Sequence, residues 1–346
     1  MKHYLNCSTG LLLGIVLILG SGAEARSELG PLHTANRFPL HMMVLTPRPI
    51  PAELPGQGVL EVTLALEYSS IFFDHRNARW DFLLDMEILI AELSVRYGLT
   101  EKVAILMDAP MISMGGGFMD GFLQNYHNGL GVSNYGRESR PADVFAYRAT
   151  KDGAMWVRGK ADTFRPGDLR LSAQVELPSM QWGDQSVHVA ALVTLKVPTG
   201  DAGTGLGSGH YDAGLYVPMQ WGDAPWTFYL MPGAAWINDP DTLGASISAR
   251  NSFGLFAGAA YRSSSRWRWL AQANYYSSPF ERSGLDELDA GALELSFGLQ
   301  RTLNRALSVE FAFCEDLTRP VPDFTVRFGM TWRFGIGRAW AKEETS

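Results

Sequence analysis

The chain of 346 residues has little cysteine: Cys7 and Cys314 alone, too few for a disulfide framework. Charge is also sparse, at 19% of residues, and the net value of −7 excludes the basic face of a general nucleic-acid binder. Past residue 25 no apolar run approaches the roughly 20 residues that a spanning helix needs. No Gly-x-Ser-x-Gly elbow, HExxH helix, Cys/His cluster or Asp-x-Asp-x-Asp-Gly loop is present, so no catalytic residue, metal or cofactor is expected. At 46% hydrophobic residues the chain is nevertheless too apolar for disorder. Its length allows two or three ordinary domains, although a barrel can use all of it as one unit.

What is present begins with an export signal. Lys2 and His3 precede the apolar run Leu11–Leu19, and Ala23-Glu24-Ala25 offers small residues for cleavage. Residues 1–25 therefore read as a secretory signal peptide cut near Ala25. Cys7 lies ahead of the apolar run, which excludes a lipoprotein cleavage site.

Beyond it, hydrophobicity alternates with period two. Leu60, Val62, Leu64, Leu66 and Tyr68 fall opposite Glu61, Thr63, Ala65, Glu67 and Ser69. Near the C-terminus Phe324, Val326, Phe328, Met330, Trp332 and Phe334 oppose Thr325, Arg327, Gly329, Thr331 and Arg333. Such alternation belongs to strands with two unlike faces. About twelve segments show it: 59–72, 80–98, 102–113, 167–178, 187–198, 210–221, 226–238, 251–263, 267–278, 289–301, 306–315 and 323–334. Most have the length of a tilted bilayer crossing. Segment 80–98 is longer and changes phase near 89–91, which predicts a bulge.

Connections after even-numbered segments are short (98–101, 179–186, 222–225, 264–266, 302–305). Those after odd-numbered ones are mostly longer (73–79, 114–166, 199–209, 239–250, 279–288, 316–322). Trp182, Trp221, Trp226, Trp267 and Trp332 gather at the short-turn end, where an interfacial girdle belongs. The expected fold is all-β: a transmembrane antiparallel β-barrel of about twelve strands over 58–335, with short periplasmic turns and longer extracellular loops. A secreted sandwich shares the alternation but has no reason to keep this loop parity.

Several stretches carry a resemblance: Gly30-Pro31-Leu32 to Pro55-Gly56, Arg96-Tyr97-Gly98-Leu99-Thr100, Gly116-Gly117-Phe118-Met119-Asp120-Gly121-Phe122, Lys196-Val197-Pro198-Thr199-Gly200-Asp201, Gly207-Ser208-Gly209 and Glu315-Asp316-Leu317. Together they resemble an uncharacterised family of Gram-negative outer-membrane barrels, a domain of unknown function. The resemblance implies an outer-membrane location and brings no catalytic residues. One departure is the tail, since Gly335 to Ser346 continue past the terminal aromatic Phe334; residues 336–346 count as a C-terminal tail.

Four regions are candidates for function. In loop 114–166, apolar residues from Phe118 to Leu130 recur at helical spacing, predicting an amphipathic helix over about 118–129. Phe118, Asp120, Phe122, Gln124, Tyr126 and His127 would then form a constriction or lid, or the loop packs on its own rim. The Pro-rich segment 26–57 cannot form long regular structure and is either a periplasmic tail or a plug. Lumen-facing charges are Glu61, Glu67, Glu176, Glu294 and Glu310 against Arg170, Lys196, Arg262, Arg268, Arg327 and Arg333, paired or acting as a selectivity lining. Asp239, Asp241, Glu281, Asp286, Glu287, Asp289, Glu315, Asp316 and Asp323 make an acidic outer rim. His75 with Asp74, His127, and Ser208 with His210 and Asp212 are scattered candidates for a rim enzyme.

A narrow passive channel for small solutes is the expected function. A lipid- or peptide-modifying enzyme and a structural or adhesive barrel are the alternatives. The implied partners are outer-membrane lipid and lipopolysaccharide, the barrel-assembly machinery and a small solute, with no nucleic acid.

Overall fold

The computed structural model describes residues 29–131, 136–280, 282–318 and 321–336. The signal peptide, the tail beyond residue 336 and Glu281 lie outside the described residues, as do the side chains of Tyr126, His127, Glu287 and Asp316.

Sixteen strands form one antiparallel sheet. The first three are β1 (Val59–Arg76), β2 (Trp80–Thr100) and β3 (Val103–Gly115). Loop strands β4 (Ala146–Lys151), β5 (Ala154–Arg158) and β6 (Asp162–Pro166) follow. Then come β7 (Leu169–Trp182), β8 (Gln185–Val197), β9 (Asp212–Tyr216), β10 (Met219–Trp221) and β11 (Trp226–Trp236). The last are β12 (Ser252–Arg262), β13 (Trp267–Tyr276), β14 (Ala292–Thr302), β15 (Leu307–Asp316) and β16 (Phe324–Gly335). Pairing of β1 with β16, from Val59↔Gly335 to Ser70↔Phe324, closes the barrel. β9 and β10 make one crossing, interrupted at Pro218, which lacks the N–H a ladder needs. The wall therefore has twelve crossings and leaves no open edge in hydrocarbon, where an unpaired backbone group costs several kcal/mol.

The alternation maps onto two media. Leu64, Leu66, Val193, Leu195, Phe297, Phe311 and Phe328 are exposed on the outside, whereas Glu67, Gln174, Glu294, Ser296 and Arg327 are buried inside. Around the short-turn end, rings contact in series: Trp182–Trp221 at 6.3 Å, Trp221–Phe228 at 5.9 Å, Phe228–Trp226 at 6.2 Å and Trp226–Tyr261 at 5.0 Å.

Two expectations need correction. No bulge occurs at 89–91, because the β1–β2 register is unbroken from Leu60↔Tyr97 to Arg76↔Asp81. The apparent phase change has another cause. Above this level Phe82, Leu84, Met86, Ile88 and Ile90 still point inward, but into a buried apolar cluster instead of a polar lumen. Residues 179–186 are also not a loop. β7 and β8 continue to a turn at Gly183-Asp184, with a register shift between Leu177 and Met180 around Pro178.

At the extracellular end the wall carries a dome. β4 extends the top of β2, from Trp80↔Lys151 to Asp85↔Ala146, and β5 pairs with β4. Trp156 and Val157 of this hairpin pack with Ala245, Ile247, Phe280, Leu285 and Leu288 from two other loops, all buried.

Candidate functional site

Residues 29–56 lie inside the barrel. The side-chain partners trace their path. Leu32 exchanges hydrogen bonds with Gln272 at 3.1 and 3.0 Å, and Thr34 Oγ1 accepts from Asn274 at 3.1 Å. The chain then turns through the one-turn helix α1 (Pro39–Met42), where Phe38, Leu40 and Met43 enter the dome cluster. It descends past Asp212, which accepts from Leu45 N at 2.9 Å, and past Gln174, which donates to Pro51 O at 2.8 Å. Arg96 donates to Glu53 O at 2.5 Å near the exit. At Gly98 an added Cβ would stand 2.1 Å from Gly56 O, so only glycine admits the crossing there. Prolines suit this path, since extended, irregular backbone needs neither helical nor ladder bonds.

Two arginines of the hairpin are neutralised by the wall. Arg37 pairs with Glu67, which also takes Arg327, and Arg327 Nε donates to Glu310 at 3.2 Å. Arg48 pairs with Glu92, and its other nitrogen lies 3.6 Å from Asp108. All five of Arg37, Arg48, Glu67, Glu92 and Arg327 are buried. Lower down, Glu61 receives Arg333 at 2.7 Å and Arg96 at 3.4 Å.

A second anchor is Lys196. Four oxygens surround its Nζ and share its three N–H donors: Asp168 Oδ2 at 2.7 Å, Ser208 Oγ at 2.5 Å, and the carbonyls of Met43 and His210 at 3.0 Å each. Asp212 lies 3.3 Å away. This ammonium thus joins the hairpin's turn to the wall and to loop 198–211. An added Cβ at Gly207 would stand 2.2 Å from Asp168 Oδ1, which explains glycine beside Ser208.

The other lumen candidates fall as follows. Glu294 and Arg268 are buried; Asn274 donates to Glu294 at 3.3 Å and Arg268 to Tyr229 Oη at 2.6 Å. Arg170 donates to Thr46 O at 3.3 Å. Glu176 and Arg262 are exposed at the periplasmic end. Alternation on β2, whose phase follows from pairing with β1, would have disclosed Glu92 and Arg96. Arg37 and Arg48 carried no periodic signal, while Asp168 and Asp212 sit at the ends of alternating segments, where their partner was not legible.

Helix α2 (Asp120–Leu130) does not span the mouth. Its start docks on the outer face of the β1–β2 hairpin: Glu87 accepts from Phe118 N at 3.0 Å and Met119 N at 2.6 Å, and Phe118 lies 5.6 Å from Tyr68. Arg137 joins Asp120 to Asp323 and stands over the Phe72 ring at 5.4 Å. Phe122 is exposed, Gln124 half-buried, and Leu123 turns in. The place assigned to a lid is filled by β4 and β5, because the acid on β2 faces outward and holds the helix there. Asp323 is accordingly a half-buried partner of Arg137. Asp239 accepts from Ala249 N at 2.6 Å, Asp289 from Ser283 N at 2.9 Å, and Asp241 meets His210 at 3.1 Å. Asp286 is exposed and Glu315 half-buried.

Among the described residues the enzyme candidates do not converge; the His127 side chain lies outside them. Ser208 Oγ is spent on Lys196, while the His210 ring faces Asp241. His75 Nε2 takes Asn77 at 3.3 Å. His33, Glu92 and Asp108 bring ligand atoms within 4.8 Å of one another, but the Arg48 guanidinium already stands among them as the cation.

Within the lumen, a cavity of about 140 Å³ remains at the periplasmic end, lined by His33, Glu61, Arg96, Asp108, Arg327 and Arg333. Above it, between Arg37, Arg48, Glu92 and Lys196, only about 20 Å³ is open. That is room for about one water.

A family model described as "Protein of unknown function (DUF3187)" matches residues 7–334. The chain belongs to this family. No curated protein matches this DUF3187 member. Among solved structures it is similar to the COG4313 outer membrane channel from Pseudomonas putida F1, with TM-score 0.55 and 15% identity over 82% of this chain and 98% of that one. The NanC porin gives TM-score 0.44 at 11% identity, covering 79% and 98%. The CymD monoaromatic hydrocarbon channel gives 0.41 at 12%, covering 91% and 100%. At such identities the first likeness is one of fold: an outer-membrane-type β-barrel.

Proposed function

We propose that this DUF3187 protein is a narrow outer-membrane channel for small solutes whose resting lumen is closed by its own N-terminal hairpin. The observation that carries this is the seating of residues 29–56, with two buried arginines matched by wall carboxylates. A barrel meant only as scaffold gains nothing from a polar lumen filled by a charge-matched segment. Opening moves the hairpin and breaks those pairs, while the outer wall keeps its ladder. The signal peptide is removed near Ala25, which leaves the hairpin's free end in the periplasm. There a partner or a solute reaches the vestibule. Assembly by the barrel machinery and contact with lipopolysaccharide follow from the same location.

A structural barrel without transport is the alternative, and the buried apolar dome favours it. Planar-bilayer recording separates the two. The full chain is expected to show rare, brief openings, and the chain lacking 30–56 a steady conductance. A folded deletion variant that stays silent supports the scaffold and removes the channel.

A further inference from the structure

The outer wall is not uniformly convex. On the lipid side of β12 to β15 lies a recess of about 520 Å³. Ala259 and Ala271 pair across its floor, while Trp269, Phe297 and Phe311 rise around it, 56%, 54% and 48% exposed. Its lining is almost wholly carbon, as a lipid-facing wall requires. What distinguishes it is the charge directly below.

Arg301 lies two residues beyond Leu299 on the same outward face, about 7 Å along the strand. Its guanidinium stands 4.7 Å over the Trp267 ring, held by a cation–π contact at the interface. The adjoining turns 263–266 and 303–306 add Arg266 and Arg305 and no acid. Arg262, Arg266, Arg301 and Arg305 are all exposed. The other short turns differ: Asp184 and Asp223 are acidic, and Glu101 is followed by Lys102. Among the described short turns, basic charge without a neighbouring acid is therefore found beneath the recess.

We infer that this is a binding site for an anionic phospholipid of the periplasmic leaflet, its acyl chain in the recess and its phosphate on Arg301 and Arg266. Apolar area holds the chain, and each arginine near the headgroup adds an attraction that a zwitterionic lipid lacks. The site is independent of whether the lumen conducts.

The test uses delipidated full-length protein in detergent, titrated separately with phosphatidylglycerol and with phosphatidylcholine of identical chains, and read by native mass spectrometry. One phosphatidylglycerol per chain is expected, held about tenfold more tightly than phosphatidylcholine. The double substitution Arg266→Gln/Arg301→Gln brings the two lipids to equal, weaker retention. Ala271→Trp fills the recess and lowers both. Inorganic phosphate at millimolar concentration leaves the lipid bound. Equal retention of both lipids by the unaltered chain would overturn the proposal, as would displacement by phosphate. A dimer that Ala271→Trp dissolves would reassign the recess to a second copy of the chain. The heat-dependent gel shift of a folded barrel, checked for each variant, keeps loss of binding distinct from loss of fold.

Discussion

Glu92→Gln is the most informative single perturbation of the seated hairpin. The Glu92 carboxylate is buried, receives Arg48, and has Arg37 at 3.7 Å. Removing one partner of a buried pair costs about 3–5 kcal/mol, because the other charge is left without compensation. Here Arg48 keeps Asp108 at 3.6 Å and Arg37 keeps Glu67, so the lower figure of about 3 kcal/mol applies. That corresponds to about a hundredfold rise in the unseated population. Thr46→Cys in a Cys314→Ser background reports it, since Thr46 is 4% exposed when the hairpin is seated. In liposomes the rate of labelling by a hydrophilic maleimide tracks the open fraction. The expected result is slow labelling in the parent and a rate about a hundredfold higher with Glu92→Gln. Replacing both partners, Arg48→Met with Glu92→Met, restores slow labelling, because an apolar pair of similar volume is close to neutral. Labelling that is already fast in the parent, or unchanged by Glu92→Gln, refutes the seating argument.

Other outcomes follow from the same contacts. Arg137→Ala breaks the buried pair with Asp120 and the half-buried one with Asp323 and frees α2 from the outer wall, so protease cuts within 116–145 while Thr46→Cys labelling and conductance stay unchanged; a rise in conductance would return the helix to the role of lid. Gly98→Ala forces a Cβ against Gly56 O and lowers the unfolding temperature through an overpacking cost of about 1–3 kcal/mol, measured by the gel-shift midpoint. The His41 ring accepts from Asn36 at 3.0 Å and is buried, and burial lowers its pKa to about 4. The unfolded value is near 6.5, so the dome's stability is complete above that pH and falls as pH drops from 6.5 to 4, by about 3 kcal/mol in all. Thr46→Cys labelling should accelerate over that window, and His41→Leu should remove the His41 share; an unaltered profile in His41→Leu contradicts the assignment.

The barrel was legible because a strand between lipid and a polar lumen has no freedom in its alternation: Leu64 and Leu66 must face out where Glu61 and Glu67 face in. Loop parity and the tryptophans added direction. The same rule misled once the medium changed. From Phe82 to Ile90 the inward face of β2 meets an apolar dome, and the alternation there resembled a bulge. The amphipathic spacing of α2 announced a buried face but not its partner, which is set by Glu87 and Arg137. For residues 29–56 there was no period to read. Their place follows from matching charges across some 30 residues or more of intervening chain, as in Arg37 with Glu67 and Arg48 with Glu92. Lys196 was visible as an inward charge, whereas its role as anchor depends on Met43 O and Asp168, which pattern does not connect.

The most direct measurement is a cross-link between hairpin and wall in the native membrane. Thr34 Oγ1 and Ser296 Oγ lie 3.5 Å apart, one on the hairpin and the other on β14. In a Cys314→Ser background, Thr34→Cys with Ser296→Cys should oxidise to an intramolecular disulfide, found as a single linked peptide pair after digestion. If both thiols stay free under oxidation while the barrel is folded, the hairpin does not occupy the lumen.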